Sequence, residues 1–223
     1  MGTNRIFNIL PLMFLNTFLI LSPLNNFQTK KESNLEKEIK KEIIIDSTQN
    51  LKQENSASYN ESTSKRDEFI ENARKYVETP YRWGGRLTKK NPGLDCLGLV
   101  FLSYSKTFET NWRDISVYPS EIIEKEQLGN PIKGLNGVLK ENLDISKLEK
   151  GDIVYLLTNS EINDKSLAKI NGQEYWPWHV GIYSDKEKNL FLEAKPGDMV
   201  MEHSFNDILK DGTNKAFFVT RID

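Results

Sequence analysis

The sequence contains few cysteine and histidine residues. Its 223 residues include one cysteine, Cys96, and two histidines, His179 and His203. A single cysteine cannot form a disulfide within the chain, and it excludes a zinc site built from several cysteines. Histidine is the side-chain type that ordinarily titrates nearest neutral pH. Only two obvious candidates therefore exist for a general base at neutral pH.

An excess of charge of one sign is also missing. The chain has 30 Lys and Arg residues against 32 Asp and Glu residues. A nucleic-acid-binding protein would normally show a basic excess or a basic patch, so nucleic acid is not expected as a partner. Hydrophobic residues make up 38% of the chain, which is enough for a packed core only if part of the chain stays outside it.

The N-terminal part differs in composition from the rest. In residues 1–27, Arg5 precedes a largely apolar run from Ile6 to Leu21, which is typical of a secretory signal peptide. The run also nears the roughly 18–20 residues that a membrane-spanning helix needs, so an uncleaved membrane anchor is the alternative. In either case we expect an exported protein, in the periplasm or at the cell surface, and an anchor would tether it to the membrane.

Residues 28–63 are rich in Lys, Glu, Asn and Ser and poor in aromatic residues. Such a segment buries too little apolar surface to offset its chain entropy, so a flexible charged linker is predicted.

Residues 64–223 show the pattern of one folded domain. Helical spacing of apolar residues predicts a helix from 64 to Val77 and a second from Cys96 to about 106. Residues 119–127 are interpreted as helical, and 129–137 and 158–176 as loops. Short apolar runs separated by turn residues predict strands at 153–157, 179–183, 189–194, 199–203 and 216–221. Helices followed by a series of strands imply an α+β domain.

Cys96 lies in the first turn of the second predicted helix, where unpaired backbone N–H groups and the helix dipole stabilise negative charge. This position favours the thiolate, which is the nucleophilic form of cysteine. The same amides can donate hydrogen bonds to an oxyanion that forms beside the sulfur, and Asp95 can cap the helix. By itself, a cysteine that opens a helix is more often inert packing.

A base and an orienting group are predicted on neighbouring strands. His179 begins an apolar strand, which would hold its ring rigidly towards the helix if strand and helix pack together; a histidine bonded only to backbone is the alternative. Glu193 lies inside an apolar run on the next strand, where a carboxylate is costly unless it is paired. His203 lies between polar Glu202 and Ser204, and it is predicted to be a surface residue.

Four segments occur in a fixed order along the chain: Thr79-Pro-Tyr-Arg-Trp-Gly-Gly85, Leu94-Asp-Cys-Leu-Gly-Leu-Val100, Gly151-Asp152 and His179-Val-Gly-Ile-Tyr183. In this order they resemble the motifs of the NlpC-type cell-wall cysteine peptidases of bacteria. The resemblance covers roughly residues 66–222. It implies a papain-like α+β fold, with N-terminal helices packed on an antiparallel sheet, and chemistry that needs no metal and no cofactor.

The resemblance also implies roles for individual residues. Cys96 would be the nucleophile and His179 the base, and Glu193 would orient the imidazole where the family commonly has a histidine. Leu97 stands where the family usually has a serine, and the stretches 97–150 and 158–178 look longer than typical. Substrate contacts are expected from Tyr81, Trp83, Asp95, Leu97 and Trp178.

Three functions are compatible with the sequence. The first is an exported endopeptidase, acting as a monomer, that cleaves amide bonds in peptidoglycan stem peptides through a Cys-His-Glu site. The second is a papain-like thiol hydrolase or acyltransferase that acts on another amide, ester or thioester. The third is a catalytically inactive module that binds the cell wall.

Overall fold

The computed structural model describes residues 65–222. The predicted signal peptide or anchor (1–27) and the predicted linker (28–63) lie outside the described residues. No helix within residues 65–222 is both long enough and apolar enough to cross a bilayer.

The described residues form an α+β domain in which a few helices pack against an antiparallel sheet, as predicted. In chain order the helices and strands are α1 (65–74), α2 (Cys96–Phe108), α3 (Pro119–Glu124), β1 (Asn130–Leu139), β2 (Asp152–Thr158), β3 (Ala168–Ile170), β4 (Gln173–Asp185), β5 (Leu190–Ala194), β6 (Val200–Ser204), α4 (Phe205–Lys210) and β7 (Ala216–Arg221).

The sheet has the strand order β1-β7-β2-β4-β5-β6, and β3 pairs with β4 outside this path. Strand β2 is buried along its whole length. Because successive side chains of a strand point to opposite faces, Tyr155 packs in a cluster with Leu99 of α2, whereas Val154 and Leu156 pack in a second cluster with Phe205 of α4. Each face of the sheet therefore has its own apolar core.

The prediction of a loop at 129–137 is wrong, because all of these residues except Gly129 belong to β1, which pairs with β7. The glycines that suggested a loop occupy irregular positions of this strand. Gly134 and Gly137 have positive φ, and the register with β7 shifts between Pro131 and Asn136 and again before Val138. Such shifts are typical of β-bulges, which accept glycine readily.

Helix α1 is shorter than predicted, since helical backbone ends at residue 74 and Val77 is exposed. The chain leaves the helix because its backbone pairs elsewhere. The N–H of Glu78 donates to Val200 O, and the N–H of Val200 donates to Thr79 O, each at 2.8 Å. A contact with β6 thus replaces the last predicted helical turn.

The segment 158–176, predicted to be a loop, contains β3 and the first part of β4. Strand β3 and the start of β4 form a hairpin, from Ala168 opposite Tyr175 to Ile170 opposite Gln173. Ala168, Ile170 and Tyr175 pack against the core cluster that contains Leu99, whereas Lys169, Asn171 and Gln173 are exposed, and these polar residues are what suggested a loop. Helix α4 was not predicted; its six residues are too few to show a clear helical period.

Candidate active site

The loop before α2 is tied to the start of that helix by Asp95. This residue is the N-cap, and its Oδ1 accepts a hydrogen bond from Gly98 N at 2.6 Å. Oδ2 accepts from Gly84 N at 2.9 Å, and the Arg86 guanidinium donates to Oδ1 at 2.5 Å. Three donors inside the protein therefore engage this carboxylate, and its contribution to the site is to position Cys96.

Two glycines allow the same loop to lie directly on α2. A Cβ atom at Gly98 would lie 2.2 Å from the carbonyl oxygen of Gly85, and one at Gly85 would lie 2.4 Å from that of Gly93. Both distances are far below van der Waals contact, so a larger residue would push the loop away from the helix. The glycines of the two N-terminal motifs thus keep Cys96, which is 9% exposed, beneath this loop.

His179 connects the helix to the sheet. It lies inside β4, opposite Leu156 of β2, rather than at the start of a strand as predicted. Cys96 lies close enough to its ring to raise the pKa of His179, and its Nε2 lies 2.5 Å from Glu193 Oε2. Because Nε2 is used by Glu193, Nδ1 is the ring nitrogen left to face the sulfur. The structure thus brings together the three residues predicted to be catalytic.

The neighbours of His179 and Glu193 shift the pKa values of both groups in the direction that keeps them charged. Burial alone would lower the pKa of His179, but Cys96 and Glu193 outweigh burial and raise that pKa to about 10. Burial alone would raise the pKa of Glu193, but hydrogen bonds from His179 and His203 lower it to about 2. At neutral pH the site therefore holds an imidazolium beside a carboxylate, which is the charge state that a thiolate–imidazolium pair requires.

His203 is a second partner of Glu193, and the prediction that it is a surface residue is wrong. Its Nε2 lies 2.7 Å from Glu193 Oε1, and its side chain is 17% exposed. Because Glu193 is ionised, it accepts hydrogen bonds from both histidines. In the β5–β6 pair Glu193 lies opposite Met201, so His203 is its diagonal neighbour, within reach of a long side chain. The Pro196-Gly197 turn was the signal in the sequence that could have indicated this register.

A cavity of about 490 Å³ opens beside Cys96 and His179. Among the predicted substrate contacts, Trp83, Asp95, Leu97 and Trp178 line it. Trp178 also donates from Nε1 to Asn214 Oδ1 at 3.0 Å, and its ring centroid lies 5.2 Å from that of His179. Contact of these residues with a substrate stays a prediction.

Tyr81 is not among the residues that line this cavity. It is partly buried and packs against the core cluster that contains Cys96. Burial is the largest cause of its raised pKa, and electrostatic interactions with Cys96 and Asp95 add to the effect. Tyr81 therefore lies near Cys96, and its hydroxyl stays neutral at physiological pH.

Part of the cavity lining comes from two segments that the sequence did not single out as substrate contacts. They are the turn into α3 and the loop before β3, and they contribute Val117, Tyr118, Pro119, Ile162, Asn163 and Asp164. Within residues 65–222, no group of three or more His, Cys, Asp or Glu side chains is arranged to hold a metal ion.

Comparison with known proteins gives one family match. A family model described as the NlpC/P60 family matches residues 78–217 of this chain. Dipeptidyl-peptidase 6 of Lysinibacillus sphaericus is 33% identical over 91 residues, which are 40% of this chain and 26% of that protein. The chain thus matches about a quarter of the length of that curated relative.

Solved structures share the fold. An N-acetylmuramoyl-L-alanine amidase from Bacteroides uniformis matches 72% of this chain and 99% of its own, with a TM-score of 0.54 and 15% identity. The P60 domain of an antigen from M. avium paratuberculosis matches 75% of this chain and 99% of its own, with a TM-score of 0.46 and 16% identity. At 15% identity, the likeness to the amidase concerns the fold alone.

Proposed function

Because the chain belongs to the NlpC/P60 family, we propose that it is an exported cysteine peptidase that cleaves amide bonds in peptidoglycan stem peptides. The observation that carries this proposal is the contact of Cys96 with His179 and of His179 with Glu193 beside one open cavity. The family match includes all three residues. The same membership supports action outside the cytoplasm, on peptidoglycan peptides.

Cys96 and the start of α2 carry the first step of the proposed reaction. The Cys96 thiolate attacks the scissile carbonyl carbon, and a C–S bond forms. The first N–H groups of a helix have no acceptor within the helix. Asp95 already accepts a hydrogen bond from the N–H of Gly98. The N–H groups of Cys96 and Leu97 are therefore the donors nearest to the developing oxyanion, and donors at that place stabilise the transition state most.

The protonated His179 completes the transfer. It gives its proton to the leaving amine as the C–N bond breaks, and a thioester remains on Cys96. A water molecule then loses a proton to neutral His179 and attacks the thioester, which releases the acid and restores the thiolate. Glu193 holds the ring in the tautomer that presents Nδ1 to the sulfur, and it stabilises the imidazolium.

The test is the substitution Cys96→Ala in the full chain. Wild-type protein is expected to release new amino groups from purified muropeptides, and mass spectrometry of the products identifies the bond. Cys96→Ala is expected to release none while keeping the thermal unfolding midpoint of the wild type. The proposal would be wrong if this variant kept full activity, or if the wild type left every muropeptide intact.

Leu97 favours a second candidate reaction, the hydrolysis or transfer of an ester or thioester. It lines the cavity at the position where the resembling peptidases usually have a polar serine. A panel of muropeptides and acyl esters, assayed with the same protein, separates the two candidates. Turnover of esters alone would replace the first proposal with the second.

A further inference from the structure

Exposed apolar side chains gather at the mouth of the active-site cavity. Among residues 65–222, Trp83 is 82% exposed, Val117 58% and Tyr118 43%, and all three line this cavity. Large apolar residues are usually covered in a folded protein, and a group of exposed ones marks a surface that binds something. Ile162 and Trp178 also line the cavity, and we call these five side chains the apolar wall.

Charged side chains that line the cavity already have partners inside the protein. Arg86 is only 10% exposed at its side chain and is bound to Asp95, which is 8% exposed. His179 is bound to Glu193. A carboxylate entering this cavity would lose water without gaining a free cation, and burying an unpaired charge is costly.

The remaining lining charge, Asp164, is used to hold the wall together. Its Oδ1 accepts from Ser120 Oγ at 2.5 Å, and its Oδ2 accepts from Ser120 N at 3.1 Å. The N–H of Lys165 also donates to Oδ1, at 2.7 Å. Because Ser120 is in the first turn of α3, these bonds join the loop before β3 to the turn that carries Val117.

We propose that this wall binds an uncharged group of the substrate next to the scissile amide, and that it binds an apolar group most tightly. The enzyme then selects peptides in which the residue that enters the cavity is apolar or amidated, and it discriminates against the same residue with a free carboxylate. This inference rests on the proposed function, since it names the substrates of the same site.

A matched peptide set tests the preference. In a four-residue substrate, each position in turn is Leu, Gln or Glu, and the set is titrated calorimetrically into the full-length Cys96→Ala variant. At one position we expect the Leu peptide to bind at least about tenfold more tightly than the Glu peptide, with Gln between them. Equal affinities at every position, a preference for Glu, or no binding by any peptide would overturn the inference.

A charge placed in the wall sharpens the test. Val117→Lys, made in the Cys96→Ala background, introduces a cation at the cavity and is expected to reduce the Leu-to-Glu affinity ratio at least about tenfold. Val77→Lys is the matched control, because Val77 is also exposed but does not line the cavity. It should leave the ratio unchanged. An equal effect of both substitutions would show that the wall does not set the preference.

The two proposals can fail separately. If wild-type protein leaves every muropeptide intact although Cys96→Ala binds the test peptides with the Leu preference, the peptidase proposal is wrong and the binding preference of the wall stands. If wild-type protein cleaves Leu and Glu peptides with equal kcat/KM at every position, the peptidase proposal stands and the inference is wrong.

Discussion

Two carboxylates are buried in the sheet, and their partners give them opposite properties. Burial acts to raise the pKa of both. For Glu193 on β5, hydrogen bonds from His179 and His203 overcome burial and lower the pKa to about 2. For Asp152 at the start of β2, burial dominates and raises the pKa, although Arg221 donates to both carboxylate oxygens at 2.7 and 2.8 Å.

The two carboxylates differ in whether their partner can exchange a proton. Arg221 stays protonated at all ordinary pH values, and it also donates to Lys147 O, so the pair with Asp152 fastens β7 to the segment before β2. His179 can release and regain a proton, and it faces a cavity. A buried carboxylate alone therefore does not mark an active site; a proton-exchanging partner at an accessible cavity does.

The largest effect is expected from a substitution of Asp152, and it should be on the free energy of unfolding. Asp152→Ala removes the buried carboxylate that accepts from Arg221 and from the Glu149 N–H, and the loss of several hydrogen bonds to one charged group costs about 3 kcal/mol in the free energy of unfolding. Urea denaturation followed by circular dichroism measures this loss. The kcat/KM of the folded fraction should change by less than about twofold, since no reacting atom is touched.

If Asp152→Ala does not fold, the same measurements are made on Asp152→Asn. It keeps the shape and removes the charge, so it should destabilise less and leave kcat/KM equally unaffected. A large loss of activity in a stably folded Asp152 variant would end the distinction between the two carboxylates.

The second-largest effect is expected from a substitution of Glu193, and it should be on kcat/KM. Glu193→Gln keeps the size of the side chain but loses the charge that stabilises the imidazolium, so kcat/KM is expected to fall about 100-fold, or about 2.7 kcal/mol. The free energy of unfolding should fall by less than in Asp152→Ala. Steady-state kinetics and urea denaturation of the same preparation compare the two effects.

The pH profile of Glu193→Gln gives an independent readout. In the wild type the imidazolium is lost as pH rises through about 10, the pKa of His179, so kcat/KM should decline there. Glu193 is one of the causes that raise this pKa, and removing its charge lowers it. The alkaline decline should therefore move to lower pH, by about one unit; a decline that stays in place would contradict the assigned charges.

The smallest effect is expected at His203, which acts only through Glu193. His203→Ala removes a hydrogen bond to a charged group, worth about 1.5 kcal/mol, so kcat/KM should fall about tenfold with little change in KM. His203→Gln can still donate to Glu193 and should recover most of the activity. Equal losses in both variants would mean that packing, rather than the hydrogen bond, explains the effect.

Local patterns in the sequence were sufficient for much of the domain. The apolar run at 153–157 became β2, and the helix predicted at Cys96 begins at that residue with Asp95 as its cap. The cost of a lone carboxylate in an apolar strand correctly indicated that Glu193 has a partner. These features depend on residues close together in the chain, so their pattern is visible without coordinates.

Features that depend on strand register or on loop packing were not predictable in this way. Strand β1 was hidden because its bulges carry glycines, and His203 was misplaced because its polar neighbours suggested a surface. The wall that Asp164 and Ser120 hold together joins segments more than forty positions apart. No local pattern encodes such a contact.

The sequence by itself determined the fold class, the helix that presents Cys96 and the strands that carry His179 and Glu193, because periodicity and capping act over a few neighbouring residues. Only the tertiary structure decided that one carboxylate accepts hydrogen bonds from two histidines and that an apolar wall lines the cavity beside the thiol. The physical reason is that both depend on the pairing of distant strands and loops, where the free energy comes from burial and hydrogen bonds that form only when the whole sheet is assembled.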